Sequence, residues 1–358
     1  MKQSKLILTF LIGCLCFLSC EEKEKPGTGG SGYIPGVGNE GGIAEDGNGG
    51  YLFAHTGNKN GKGYYYMYYA ISRDGINWTS LFNGDKSYPN YYGFPYITKD
   101  DKGTWYLIGT SNSKSSTPKP TPHYPIIWKS TDLITWTKSK DFDVSIMSLP
   151  EEYENDTNSY GAMKIFFDPV SKKFMITWHA SLKGKSGNDK WRSMRTFYIL
   201  TEDFKSFTKA ELLLDDFTGY DKDMAQIDAN IHYDAETEYY YCVVKDERWS
   251  GDTGVGNNYK APRICRSKNL TGPYSELSGA LTANWREAPT LTKSLDGKWW
   301  YLYVEDYTTT TYKLYRSQDI AKQSKWEKVT TMTPPDNCRH GCVITVDEKT
   351  FKGLMKYI

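Results

Sequence analysis

Helical periodicity is almost absent from this sequence, which excludes a helical bundle and leaves little room for an α/β fold. Charge of one sign is lacking too. Lys and Arg number 44 against 43 Asp and Glu, a net charge of +1, with no basic block and no acidic tail. That balance excludes a nucleic-acid-binding surface. No CxxC pair occurs, and the one close pair, Cys338 and Cys342 in "CRHGC", has no second pair to complete a zinc site. The most apolar run, in "MKQSKLILTFLIGCLCFLSC", is short for a membrane span.

That N-terminal run follows two lysines and ends in a small residue and Cys20. It predicts an export signal over residues 1–19, with "FLSC" similar to a bacterial lipobox whose Cys20 becomes lipidated. Residues 20–48 hold "EEKEKPGTGGSGYIPGVGNEGG", a polar, Gly-rich tether, and residues 49–358 form the folded domain. The expectation is an exported lipoprotein of the outer membrane or cell surface, facing outward or towards the periplasm. It would touch the membrane only through its lipid and act as a monomer. Cys14 and Cys16 leave with the signal. Cys242, Cys265, Cys338 and Cys342 remain, and a disulfide and a pair of buried thiols are both open for Cys242 and Cys265.

What the chain does have is aromatic residues, 15% of the total with 29 Tyr and 11 Trp. Runs such as "GYYYMYYAIS", "KFMITWHAS", "EYYYCVVKD" and "KWWYLYVED" are rich in strand-forming residues and bounded by turn residues. One pattern recurs in "SRDGINW", "STDLITW", "TEDFKSF", "SKNLTGPY" and "SQDIAKQSKW", starting at Ser72, Ser130, Thr201, Ser267 and Ser317. Its Asp or Asn can cap its own backbone in a turn, and the closing aromatic packs the outer strand. Tight turns lie upstream in "KDDKG", "DPVSKK", "YDAETE" and "SLDGK". Strand, tight turn, strand, long loop, strand, Asp turn, strand is one blade of a β-propeller. Five copies predict an all-β, five-bladed propeller. The first copy lacks an inner strand, which "RHGCVITVDEKT" supplies, so the C-terminal strand closes the ring against the N-terminal blade.

The long loops 111–124, 181–195 and 249–262 share a face with the inner-strand starts. Aligned, those starts are "FPYI", "GAMK", "DANI", "EAPT" and "HGCV", led by Phe94, Gly161, Asp228, Glu287 and His340. Two carboxylates and a histidine are thus expected at the channel mouth. Neighbouring carboxylates raise one pKa and suit acid catalysis on a glycosidic bond. Trp191, Arg192, Arg248, Trp249 and Tyr307 lie on the loops of that face, where they can stack on sugar rings or hydrogen-bond sugar hydroxyls.

In the order "GYLFAHTGN", "AISRDGINW", "WKSTDLITW", "QIDANIHYD", "VVKDE", "REAPTL", "KWWYLYVED" and "RHGCVI", the chain resembles glycoside hydrolase family 43 over roughly residues 50–358. The resemblance implies an inverting glycosidase acting on oligosaccharides or polysaccharides, with Glu287 as general acid and Asp228 tuning its pKa. It also implies a central calcium beside His340. Inversion needs a general base about 6.5–9.5 Å from the acid. Where relatives carry that base this chain has Phe94, and "YGAMKIFFDP" departs from them in the second full blade. Glu151, Glu152, Glu154 and Asp156 in one loop, then Glu45 and Asp46, are the alternative candidates. A differently placed base or substrate assistance would also serve. A propeller that binds glycans without cleaving them, Phe94 stacking on a sugar, is the other reading.

Overall fold

Strands pair blade by blade in the computed structural model, which describes residues 47–57, 64–110, 125–141, 148–155, 162–321 and 326–358. The chain divides into Met1–Ile34, outside the described residues, and Pro35–Ile358, which holds the propeller. The export signal, Cys20, Glu45, Asp46, the loop 111–124, Asp156 and Gly161 also lie outside the described residues.

The first blade contains β1 (Gly50–Thr56), β2 (Met67–Ser72) and β3 (Thr79–Ser80). The second is β4 (Tyr96–Lys99), β5 (Trp105–Thr110), β6 (Pro125–Ser130) and β7 (Thr137–Asp141). In the third, β9 (Lys164–Phe167), β10 (Phe174–Leu182), β11 (Arg195–Thr201) and β12 (Glu211–Leu212) pair in sequence. There β8 (Tyr153–Asn155) extends the far end of β10. The fourth is β13 (Gln226–Asp234), β14 (Tyr239–Asp246) and β15 (Ala261–Ser267), and the fifth β16 (Arg286–Lys293), β17 (Trp300–Asp306), β18 (Thr311–Ser317) and β19 (Glu327–Val329). Finally β20 (Arg339–Val346) pairs antiparallel with β1. The C-terminal strand therefore completes the N-terminal blade, as the sequence predicts. The inner strands β4, β9, β13, β16 and β20 each lie against the next, around one channel.

The recurrent Asp turn behaves as its chemistry requires. Asp74 accepts the amides of Ile76 and Asn77, Asp132 those of Ile134 and Thr135, and Asp203 those of Lys205 and Ser206. The fourth copy carries Asn269 and a proline, and its outer strand shrinks to one bridge between Arg266 and Ser275. Aromatic side chains fill the seams between blades. Tyr51, Phe53, Trp78, Tyr301, Tyr303 and Tyr312 form one buried cluster joining the first blade to the fifth. There the Tyr303 hydroxyl donates to the Gly75 carbonyl at 2.7 Å. Gly75 has φ +74°, and a Cβ on it would lie 2.7 Å from that hydroxyl, so both backbone and space call for glycine.

The chain continues past β20 into a helix the sequence reading did not foresee, Glu348–Met355. Asp347 caps it by accepting the Thr350 amide, Arg73 pairs with Glu348, and Phe351 and Leu354 are buried. All four cysteines of the folded domain are buried free thiols, with Cys242 and Cys265 directly opposite each other on β14 and β15.

Candidate active site

Two inner strands carry the same irregularity at the channel mouth. In β13 the pairing with β14 shifts between Ile227 and Asn230, and in β16 the pairing with β17 shifts between Glu287 and Thr290. The residues inside the bulges, Asp228 (φ 56°) and Ala288 (φ 44°), adopt left-handed backbone. Asp228 is thus equivalent to Ala288, and Glu287 to Ile227. The alignment of "DANI" with "EAPT" is one residue out of register: the two bulges match, and the residue that corresponds to Glu287 is Ile227, one place before Asp228. The shift matters chemically: Asp228 reaches across to accept the Ala288 amide at 3.0 Å, next to Glu287 in the chain.

Asp228, Glu287, Phe94 and His340 line one cleft of about 550 Å³, together with Trp191, Trp249 and Tyr307. Seven of the nine residues expected here are therefore brought together. Arg192 and Arg248 are not, and face a neighbouring cleft. Arg248 is buried and saturated, pairing with Asp246 at 2.6 Å and Asp221 at 2.7 Å and donating to the carbonyls of Tyr220 and Thr253. A guanidinium so engaged has no donor left for a sugar. Arg192 is held by Asp252 at 3.1 Å. Glu151, Glu152 and Glu154 are exposed and do not line the cleft.

His340 is the hub of the floor. Its Nδ1 lies 2.7 Å from Glu305 and 3.9 Å from Glu287, and its Nε2 3.8 Å from Asp228. Glu305 is fully buried and also accepts from Arg339 and from the His340 amide. Burial alone would lower the His340 pKa, but Glu305, Glu287 and Asp228 outweigh it and raise it, which biases the ring towards its protonated form. Burial would raise Asp228, yet His340, Lys164 and other cations pull it down to about 2. Glu287 goes the other way: burial raises its pKa more than Lys245 and His340 lower it. One carboxylate is thus fixed as an anion and its neighbour biased towards the protonated form. Phe94 packs on His340 with ring centroids 4.5 Å apart, and on Tyr65 at 5.1 Å.

Sequence reasoning missed a second buried network. Lys245 stands 3.0 Å from Glu287 and 2.8 Å from Glu247, and Glu247 in turn pairs with Lys260. Lys245 also lies 4.6 Å over the Tyr307 ring and Lys260 4.3 Å over that of Trp249. Trp285 joins Trp249, Tyr259 and Tyr307 edge to face, making an aromatic wall. The signal was present in "VVKDE": alternation in β14 makes its last residues share the channel mouth with Glu287.

The residues do not fit the calcium that the resemblance implies. Glu287, Glu305 and His340 bring one candidate ligand atom each within 4.8 Å of one another. Calcium, however, takes six to eight oxygen ligands. Here Glu305 is spent on Arg339 and His340, and the channel already holds the buried Lys164, whose charge is felt by Asp228.

Residues 46–351 match the model of a family related to glycoside hydrolase family 43, described as a probable glycosyl hydrolase domain. Similar solved structures include an exo-β-1,3-galactanase from Clostridium thermocellum, 16% identical with a TM-score of 0.48, covering 71% of this chain and 51% of that one. An α-L-arabinofuranosidase from Lactobacillus brevis is 15% identical with a TM-score of 0.45, covering 68% of this chain and 73% of that one. The chain thus spans about half the length of the galactanase. No curated protein matches. The family match covers most of the chain, and the chain belongs to the glycosyl hydrolase family related to family 43.

Proposed function

We propose that the protein hydrolyses glycosidic bonds of polysaccharide-derived glycans by an inverting-type mechanism, with Glu287 as general acid. The observation that carries this reading is the pairing of Glu287, its pKa raised by burial, with Asp228, held ionised near it. Glu287 would give its proton to the leaving oxygen as the glycosidic bond breaks, while the water that attacks the anomeric carbon passes its own proton to a base outside the described carboxylates of the cleft or to a hydroxyl of the substrate. Asp228 orients this arrangement through the Ala288 amide and keeps His340 charged. Trp191, Trp249 and Tyr307 supply the apolar faces on which a sugar ring stacks. Lys164 and His340 provide inside the channel the positive charge that a calcium would otherwise bring.

A specific observation favours a second reading, glycan binding without turnover. The carboxylates among the described residues lining the cleft are Asp228, Glu247 and Glu287. Glu247 shares the Lys245 ammonium with Glu287 and is also paired with Lys260, so its carboxylate is already engaged by two cations. Phe94 cannot accept a proton. In either reading the N-terminal "FLSC" supports an exported lipoprotein tethered through Cys20.

One experiment separates the readings. Wild-type protein and Glu287→Gln are incubated with a glycan panel, reducing ends are followed by NMR, and binding is measured by calorimetry. Hydrolysis lost in Glu287→Gln with binding retained supports the enzyme. Binding with no released sugar in either protein supports the second reading, and turnover unchanged in Glu287→Gln removes that residue from the mechanism.

A further inference from the structure

Beside the cleft that holds Glu287 lies a second one of about 670 Å³. The two share their walls. On the short helix Gly187–Arg192, Asn188 and Trp191 face the first cleft while Asp189 and Arg192 face the second. On the following rim, Glu247 and Trp249 face the first while Arg248, Asp252 and Thr253 face the second. A chain molecule leaving one cleft over Trp191 enters the other.

Five large apolar side chains are exposed among the described residues, and two stand here: Trp191, 37% exposed, on the wall of the first cleft, and Tyr220, 75% exposed, in the second. Tyr220 contributes nothing to the core, yet its backbone is held firmly. The buried Arg248 donates to its carbonyl at 2.8 Å, and Gly254 (φ +80°) packs so closely that a Cβ there would lie 2.5 Å from the Tyr220 Cβ. The four acceptors around Arg248 tie residues 220, 221, 246 and 253 together. A ring kept in solvent by so much buried machinery is a preorganised platform.

The lining charges nearly cancel. Arg192 is balanced by Asp252, and Arg195 lies 3.7 Å from Asp223, so the cleft has no strong field of one sign. Partly exposed guanidinium and carboxylate groups around an aromatic face suit pairs of sugar hydroxyls, not a polyanion or an apolar ligand.

We propose that this cleft is a distal subsite for a neutral oligosaccharide whose other end occupies the cleft of Glu287, with Tyr220 as its stacking platform. The inference rests on the glycan reading above and adds to it that the ligand is an extended chain running over Trp191. Arg248 then acts as a positioning residue for Tyr220.

The test uses the full chain carrying Glu287→Gln, so that nothing is consumed, and measures Kd by calorimetry for graded arabinan, xylan and β-1,3-galactan oligosaccharides of one to six sugars. The expected result is affinity that rises with length, and a Tyr220→Ala variant that loses roughly tenfold on the long members, about 1.4 kcal/mol, and nothing on the shortest. Tyr220 is so exposed that an unchanged melting temperature should accompany the substitution. Equal losses at every length, or no loss at any, would overturn the distal subsite while leaving the glycan reading intact. Failure of every length to bind, with the protein folded, would overturn both.

Discussion

The ammonium of Lys245 lies between two carboxylates, 3.0 Å from Glu287 and 2.8 Å from Glu247, and is almost wholly buried. A buried cation in that place limits how far burial can raise the Glu287 pKa. It also ties the acid, on β16, to the end of β14 in the neighbouring blade. Glu287 is therefore tuned from two sides, by Lys245 on the blade behind it and by His340 on the blade ahead.

Replacing Lys245 with Met should move the alkaline limb of the pH–activity profile upward. In the proposed mechanism Glu287 acts in its protonated form, so activity would fall as pH rises through its folded pKa. Removing the nearest cation raises that pKa further. Glu247 keeps Lys260 as a partner, which limits the damage. Initial rates from pH 4 to 9 check this, and a limb that stays in place or moves down would show that Lys245 does not act on Glu287.

Asp228 and His340 should bracket the stability profile. The Asp228 pKa is about 2 in the folded protein against 3.8 for the free side chain, a depression. Its contribution, about 2 kcal/mol, is therefore present above pH 4 and lost as pH falls through about 2. His340 is raised, so its contribution is present below 6.5 and lost as pH climbs through its folded value. Urea unfolding of wild type and Asp228→Asn between pH 5 and pH 2 should show the steeper acid loss in wild type. Parallel curves would mean that Asp228 gains no such support from its cations.

Much of this molecule is legible in its residues. The Asp turns, the four-strand order of every blade except the fourth, whose outer strand shrinks to one bridge, and the closing strand at "RHGCVITV" can be read because local capping and period-two alternation are written into contiguous residues. The site is legible only in part. Glu287, Asp228, His340 and Phe94 announce themselves at strand starts, but the bulge at Asp228 carries neither glycine nor proline to mark its extra residue, and only Pro289 hints at the one at Ala288. The network of Lys245, Glu247 and Lys260 unites charges from separate strands, and each alone reads as a solvated turn residue. Arg248 misled for the opposite reason. Its place beside Trp249 suggested a sugar contact, while its hydrogen bonds turn inward to Asp246 and Asp221.

Deleting residues 339–358 should leave a chain unable to reach the native state. The deletion removes β20, which pairs with β1 along its length, and the helix whose Glu348 and Phe351 engage Arg73. Both β1 and the inner edges of β16 and β4 would then face an open channel. Near-UV circular dichroism and limited proteolysis would report the outcome. A deletion variant with native tertiary signals and a cooperative melt would show that the ring closes without its last strand.

The channel cations make a prediction about metal dependence. Lys164 is buried on the inner strand β9, its ammonium 5.0 Å from the Tyr96 ring, and its charge helps to hold Asp228 ionised. His340, its pKa raised by the carboxylates around it, adds positive charge between Asp228 and Glu305 when protonated. A divalent ion brought among these groups meets repulsion from both, and the carboxylates it would need are already paired. The melting temperature of the wild-type protein should therefore be the same in EDTA and in millimolar calcium. Lys164→Met should raise the Asp228 pKa and shift the acid unfolding midpoint to higher pH, because an anion loses one of the charges that hold it. A calcium-dependent rise in the wild-type melting temperature would show that a metal, and not Lys164, balances the channel.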